Sequence, residues 1–465
     1  RHIGCDRMTK AAGLPADTVA LAFGRAVGSP YAWYVVILLS VAHLVSFVDR
    51  FVMSLVLTPL KVEFGLTDTQ LGLLHGTGFV ILYTVAAVPL GWLADIANRR
   101  NIIMGGLIFW SIATAACGLS WSFGSLFAAR VGVGLGEAAL VPAAMSLIAA
   151  YVRREQIGRA VSIFTTGASL GKSFALIVGG AVLAALTLRG GMELPGFGHI
   201  TPWAGVFVLA ALMGVALALL FLTVKEPPRI ATISKTSSLA AAFSHIGHYK
   251  LAYLSHTAAA ACVIALVQGL AAWAPTFYAR MFDMTPAGAG VLVGSVVLVA
   301  GPLGGLSSGW LVDRLQSRDV RGAPGLVMAL SLASSIPIAF VFAFSRDFSL
   351  SVAAYGALSF CLTAGAPPGL AGTQIITPER LRGVVSALFL CVVTFFAVGF
   401  GPTLIGLVTD SVFGDPKLLN LSLLCVITCI GALGMIIAWI SRTPTSRVAI
   451  EAFAPPADRR TASPE

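Results

Sequence analysis

Five ionisable residues stand inside stretches of sequence that are otherwise apolar: Asp49, Arg50, Arg130, Glu137 and Lys172. A charge at the centre of a bilayer costs about 2.5–3.5 kcal/mol, which makes each one a functional candidate. A carboxyl can carry a proton, and arginines can hold a carboxylate or phosphate through two parallel hydrogen bonds. Desolvation favours the neutral form of a carboxyl, and a nearby arginine favours the ionised form. A carboxyl balanced between the two can take up a proton on one side of a membrane and lose it on the other. Asp49 and Glu137 are therefore the expected proton-handling residues. Arg50, Arg130 and Lys172 are the expected contacts for an anionic group. Two plainer readings compete: a static ion-pair network that specifies packing, and a Lys172 that merely snorkels.

Spacing ties these residues together. Arg130 and Glu137 lie about two turns apart on one helix face, so both can line one cavity. Gly132, Gly134 and Gly136 lead into Glu137 and permit close helix packing there. By depth, Asp49 can meet Arg130, and by reach Arg50 can meet Glu137. The last six apolar runs hold no comparable charge, only polar residues such as His256, Gln268 and Gln374. They do offer Trp273, Phe277, Phe395, Phe396 and Phe400 as an apolar facing wall.

The elements that position these residues are membrane spans. The chain is 57% hydrophobic and 11% charged, with mean hydropathy +0.90; a soluble domain carries about 25% charged residues. Crossing a ~30 Å hydrocarbon layer takes about 20 apolar residues. Twelve such runs occur, over 31–57, 67–92, 101–121, 124–150, 158–186, 202–224, 250–278, 286–312, 323–344, 348–372, 381–409 and 418–441. The alternating ~10-residue segments of a β-barrel do not occur. The expected fold is thus an all-α polytopic membrane protein of twelve transmembrane helices.

Charge fixes the expected orientation. With both termini cytoplasmic, 22 of the 30 Lys and Arg fall in the tails, in the cytoplasmic loops or within two residues of a loop at a span edge. Only Lys61, Arg189, Arg280, Arg346 and Lys417 fall in the outer loops. That asymmetry is the positive-inside pattern. It also explains the net charge of +10 without a nucleic-acid partner. Six of the seven cysteines lie in apolar runs with no CxxC spacing, and read as small buried hydrophobes. No metal or cofactor motif is present. Residues 1–30 lack the apolar core of a cleavable signal peptide. His43, His75 and His256 read as hydrogen-bonded core residues. Gly167-Ala-Ser169-Leu-Gly171 matches a hydrolase elbow by chance, since that elbow needs a strand-to-helix turn.

The organisation is twofold. Gly91-Trp92-Leu93-Ala94-Asp95 recurs as Gly309-Trp310-Leu311-Val312-Asp313. The copies are followed by Arg99 and Arg100 and by Arg314. A polar stretch separates the halves. The expected parts are a cytoplasmic tail over 1–30, a six-helix bundle over 31–224, a linker over 225–249, a second bundle over 250–441, and a disordered tail over 442–465. Gly91 and Gly309 would let helices approach. Asp95, Arg99, Arg100, Asp313 and Arg314 would form a cytoplasmic gate that breaks when that face opens.

Twelve spans with this motif between spans two and three, and a degenerate copy between eight and nine, resemble the major facilitator superfamily. Ile96 stands where the family often has Arg, and Asn98 where it often has Gly. The stretch Arg130-Val-Gly132-Val-Gly134-Leu-Gly136-Glu137-Ala138, with Pro142, Ser146-Leu147-Ile148, Gly158-Arg159-Ala160 and Asp49-Arg50, resembles its spinster-like branch. Animal members of that branch are implicated in export of sphingolipid signals and lysophospholipids. The resemblance implies a monomeric secondary transporter in the plasma or inner membrane, with two pseudo-symmetric bundles rocking about a midplane site. Its expected partners are protons, membrane lipids and an amphiphilic lipid-like anion or zwitterion. A small organic anion or drug is the alternative cargo. A membrane-embedded lipid enzyme is disfavoured, because no nucleophile–base pair or metal cluster is visible.

Overall fold

The structure, a computed structural model, describes residues 30–153, 156–227 and 239–453, with only the backbone of Asp95, Arg380 and 451–453. The expected N-terminal tail and the end of the C-terminal tail lie outside the described residues, as does part of the linker. Among the described residues there are twelve long apolar helices: α1 (Pro30–Phe64), α2 (Asp68–Ala94), α3 (Arg99–Gly118), α4 (Phe123–Tyr151), α5 (Ile157–Leu188), α6 (Pro202–Thr223), α7 (Lys250–Met281), α8 (Pro286–Gln316), α9 (Ala323–Phe344), α10 (Phe348–Ile375), α11 (Arg382–Phe413) and α12 (Pro416–Ile450). A helix satisfies every backbone polar group within itself, which lipid demands. The start of α1, the end of α12 and the described parts of the linker share one face, called here the linker face; the other is the distal face.

Two local rules place the helix starts. Thr67 caps α2, accepting from the Gln70 amide while the Gln70 side chain accepts from the Thr67 amide at 3.0 Å. Ser122 and Ser125 make the same reciprocal cap at α4. Several spans are interrupted, as the glycine and proline content leads one to expect. α4 breaks after Glu137 and resumes at Leu140. α10 breaks at Gly365, just before Pro367 and Pro368, which have no amide to donate. α11 widens into π-helical turns at Thr394–Val398 and Thr409–Phe413, on either side of Pro402.

Three features differ from the sequence expectation. A short hairpin, β1 (Met192–Leu194) and β2 (Gly198–Ile200), joins α5 to α6, so the fold is nearly all-helical. The linker contains a helix, Leu239–His248. The last helix runs on to Phe453 through the region expected to be disordered, with Pro444 inside it. Ser441 and Thr445 hydroxyls bond to backbone carbonyls of the preceding turn along that stretch.

Helices α1–α6 and α7–α12 form two bundles that meet through α5 with α8, α2 with α11, and α1 with α7. Exchanging the halves turns the first pair into the second, which is what a duplicated unit requires. Glycines set the approach. A Cβ on Gly72 would stand 2.7 Å from the Pro402 carbonyl oxygen, and one on Gly406 would stand 2.1 Å from that of Asp68. A Cβ on Gly180 would stand 2.8 Å from the Ala287 carbonyl oxygen. By helix direction these crossings lie toward the distal face.

Within the first bundle, a Cβ on Gly134 would stand 2.0 Å from the Phe79 carbonyl oxygen, whereas one on Gly105 meets nothing within 4 Å. Gly134→Ala is therefore expected to cost about 1–3 kcal/mol by overpacking. Gly105→Ala should leave stability unchanged or slightly raised. Thermal unfolding of both variants in detergent checks the contrast; equal transitions would contradict it.

Candidate functional site

α1 and α4 bring two of the expected charges into contact. Glu137 is buried, and its Oε2 accepts from Arg50 Nη2 at 2.9 Å and from Ser46 Oγ at 2.6 Å. The break in α4 directly follows Glu137, at the point where Gly136 packs on Trp110. Arg50 sits among aromatic rings, its guanidinium 4.0 Å from the centroid of Phe79 and 4.7 Å from that of Phe47. Aromatic faces attract a cation, and a guanidinium stacks well on them.

Arg130 and Asp49 are also neighbours, but not in the expected way. Arg130 Nη1 donates to the Asp49 backbone carbonyl at 3.3 Å and Nε donates to the Leu74 carbonyl at 3.2 Å. Both Asp49 carboxylate oxygens are buried with no hydrogen-bond partner among the described residues. Trp110, Thr114, Arg130 and Glu137 stand around that carboxyl. Ionised, it would be a costly buried group; neutral, it could donate. Lys172 reaches across to the second bundle, with Nζ 3.5 Å from Gln268 Oε1 and 4.7 Å from the Phe51 ring centroid.

Of the five charges, Arg50 and Glu137 border a cavity of about 240 Å³ between the bundles, while Asp49, Arg130 and Lys172 do not line it. Ser46, Arg50, Tyr83 and Glu137 line the first bundle's side; Ile264, Gln268, Thr394 and Val398 line the other. The wider π-helical turn of α11 contributes Thr394 and Val398. The apolar facing wall read from sequence is corrected here. Trp273 and Phe277 are buried in the core, and the Trp273 indole donates to the Pro402 carbonyl at 2.8 Å. Phe396 and Phe400 stack on each other on an exposed surface.

His43 bonds the Phe164 carbonyl and His256 the Gly369 carbonyl, as expected of core histidines; His75 is buried with Nδ1 unpartnered among the described residues. Gly167 packs its helix against the Ser40 carbonyl, so the serine-elbow pattern lies on a continuous helix.

The duplicated motif lies at the linker face, where among the described residues no hydrogen bond or ion pair joins the two bundles. Trp92 and Trp310 are both 64% exposed. Gly91 meets only Pro142 of its own bundle, at 3.7 Å, and Gly309 meets nothing within 4 Å. Neither glycine makes the close approach expected of it. The Asp95 side chain lies outside the described residues. Asp313 and Arg314 are exposed with no ion pair among the described residues; Arg314 rests 5.8 Å from the Trp310 ring centroid. Arg99 pairs with Glu226 at 2.7 Å, and the Arg100 amide donates to the same carboxylate at 3.1 Å. Those two arginines hold the start of the linker to their own bundle.

The distal face is closed by a network that the sequence reading missed. The Asp68 side chain is fully buried between Lys61 at 2.5 Å and Arg280, which bonds both oxygens at 2.6 and 2.8 Å. Asp410 of α11 accepts from the Asp68 and Thr69 amides at 3.1 and 2.6 Å, capping α2 from the other bundle. Thr77 Oγ1 also donates across the halves to the Gly399 carbonyl at 2.8 Å. Lys61 and Arg280 were read only as outer-loop charges. The available signal was the Thr67-Asp68-Thr69-Gln70 cap, which puts an acid at the first turn of a span.

Two six-helix bundles, tied together at one face and bordering a charged central cavity, define a multi-pass membrane transporter. A family profile described as Major Facilitator Superfamily matches residues 39–402, and the chain belongs to that family. It is 29% identical to an MFS-type efflux pump of Mycolicibacterium smegmatis, over 91% of this chain and 96% of that protein. It is 31% identical to protein spinster homolog 1 of Rattus norvegicus, over 66% of this chain and 59% of that one. The structure resembles a bacterial homologue of the human lysosomal transporter Spinster, crystallised in an inward-facing and unoccupied conformation. The TM-score is 0.77 at 24% identity, covering 92% of this chain and 99% of the other. As a member of this superfamily the chain is a transporter rather than an enzyme, and it is similar to spinster proteins.

Removing Asp68 strands two cations and unties α2 from α7. Losing one partner of a buried pair costs about 3–5 kcal/mol. Asp68→Ala is expected to raise hydrogen–deuterium exchange across the first turns of α2 and around Arg280. Unchanged exchange would mean that glycine packing alone closes this face.

Proposed function

We propose that the chain is a proton-coupled secondary transporter of an amphiphilic anion or zwitterion, of the lysophospholipid or sphingolipid type. The observation that carries this reading is the Glu137–Arg50 pair on the wall of the central cavity. With Glu137 ionised, Arg50 is neutralised and held by an internal partner. With Glu137 protonated, the ion pair weakens, and Arg50 can take the anionic head of a substrate bidentately. Proton and substrate then load together. Asp49 is the second proton-handling group in this scheme, since its carboxyl is fully buried and forms no ion pair among the described residues. Arg130 positions Asp49 through its backbone carbonyl. Lys172 and Gln268 form a contact between the bundles that an anionic group can compete for.

The asymmetry of basic loops supports placing the linker face in the cytoplasm. The linker face is then the inner one. Asp95, Arg99, Arg100, Asp313 and Arg314 belong to the gate that forms when this face closes, while the Asp68 network releases at the other side. Asp95→Asn and Asp313→Asn should both shift the balance toward the inward-open state without removing substrate binding. Transport assays alongside binding assays on the two variants check this.

The small cavity and the likeness to an MFS-type efflux pump favour a second cargo, a small organic anion or drug. Proteoliposomes separate the readings. Saturable flux of a labelled lysophospholipid driven by an imposed pH gradient is expected. Glu137→Gln should lose the gradient-driven flux while retaining exchange. Flux of a small anion but not of the lysolipid would favour the second cargo, and unimpaired gradient-driven flux in Glu137→Gln would give Glu137 a structural role only.

A further inference from the structure

A second cavity, sharing no residue with the central one, opens at the linker face of the second bundle. It measures about 670 Å³ and lies between the end of the linker helix with the start of α7, and the last turns of α12. Lys250 and Arg447 stand on its rim. Both are exposed, and among the described residues neither has a salt bridge or hydrogen bond. Trp439 lines the same groove, 58% exposed, with the Arg442 guanidinium 4.5 Å from its ring centroid. The inner wall is apolar, from Ala252 and Val448.

The surroundings fix the depth of this groove in the membrane. Leu251, Leu254, Ile436 and Ile440 on the outer sides of α7 and α12 are exposed, which in a membrane bundle means exposed to lipid. The linker helix carries Leu239 and Phe243 one turn apart, 58% and 59% exposed, a stripe that nothing among the described residues covers. An uncovered apolar stripe beside basic residues is what a helix lying in the headgroup layer presents. Tryptophan and tyrosine concentrate at the same depth. Cations with no carboxylate partner among the described residues therefore sit where lipid phosphates lie, above side chains that contact acyl tails.

We infer that this groove binds an anionic phospholipid of the surrounding leaflet, its phosphate between Lys250 and Arg447 and its tails along Leu251, Leu254 and Ile440. The apolar wall and the flanking stripe distinguish this ligand from a free phosphate ion, which needs neither. The lipid would link the linker helix to the last helix, two segments that the chain joins only through the whole second bundle.

The test is native mass spectrometry of the full chain in detergent, titrated with phosphatidylglycerol or phosphatidylcholine. Each cation near an anionic headgroup contributes about fivefold in affinity, so Lys250→Gln with Arg447→Gln should weaken phosphatidylglycerol binding roughly thirtyfold. The charge-preserving pair Lys250→Arg and Arg447→Lys should retain it. So should Arg346→Gln with Lys417→Gln, which removes two cations at the distal face. Equal binding of the two lipids would overturn the inference, as would undiminished phosphatidylglycerol binding by the doubly neutralised variant. Displacement of phosphatidylglycerol by millimolar inorganic phosphate would make this a phosphate site and overturn the lipid assignment.

Discussion

The ion pair between Arg50 and Glu137 makes sense of the central cavity. It joins α1 to α4 where α4 loses its helical continuity, in a space from which the second bundle excludes all but a small cavity. A buried pair of this kind is poor evidence for stability, since apolar residues of the same volume commonly do as well. Its value lies in being breakable by one proton. Around it the first bundle supplies the aromatic cage of Phe47 and Phe79, the Ser46 hydroxyl and the glycine crossings that bring α4 against α2 and α3. The second bundle contributes no charge to the cavity, only Gln268, Thr394 and apolar side chains.

Duplication and asymmetry divide the work. The duplicated halves meet through equivalent helix pairs, α2 with α11 and α8 with α5, and small residues let those pairs touch backbone to backbone. Such contacts are short-ranged, so they hold one face shut without fixing the other. The distal face adds a directional lock: one buried carboxylate, Asp68, gathers a lysine from its own bundle and an arginine from the partner bundle. The linker face carries both copies of the motif and, among the described residues, no such lock.

Much of this was legible in the sequence. Helix number, the two halves and the five interior charges follow from hydropathy and the cost of burying charge, which depend on composition along one segment. Depth along α1 and α4 already allowed Arg50 to reach Glu137. The sequence could not say that Arg130 would spend its donors on backbone carbonyls of Asp49 and Leu74, because that depends on how helices rotate against one another. It also could not pair Asp68 with Arg280, which lies 212 residues away. A charge at a helix end looks like a loop charge until the partner is known. Trp273 and Phe277 were misplaced for the same reason, since an aromatic in a span says nothing of which side it faces. The helical end of α12 reads as disorder because the tail is rich in Pro, Arg and Ala, while its burial against the bundle does not appear in the sequence.

The central claim is that protonation of Glu137 releases Arg50 to the substrate. It is tested most directly by counting protons during binding. Calorimetric titration of the purified chain with lysophospholipid, in buffers of different ionisation enthalpy, gives that count without any membrane gradient. The account predicts net uptake approaching one proton per substrate bound at neutral pH, falling toward zero in Glu137→Gln. Binding with no proton uptake in the unmodified chain, or unchanged uptake in Glu137→Gln, would contradict it.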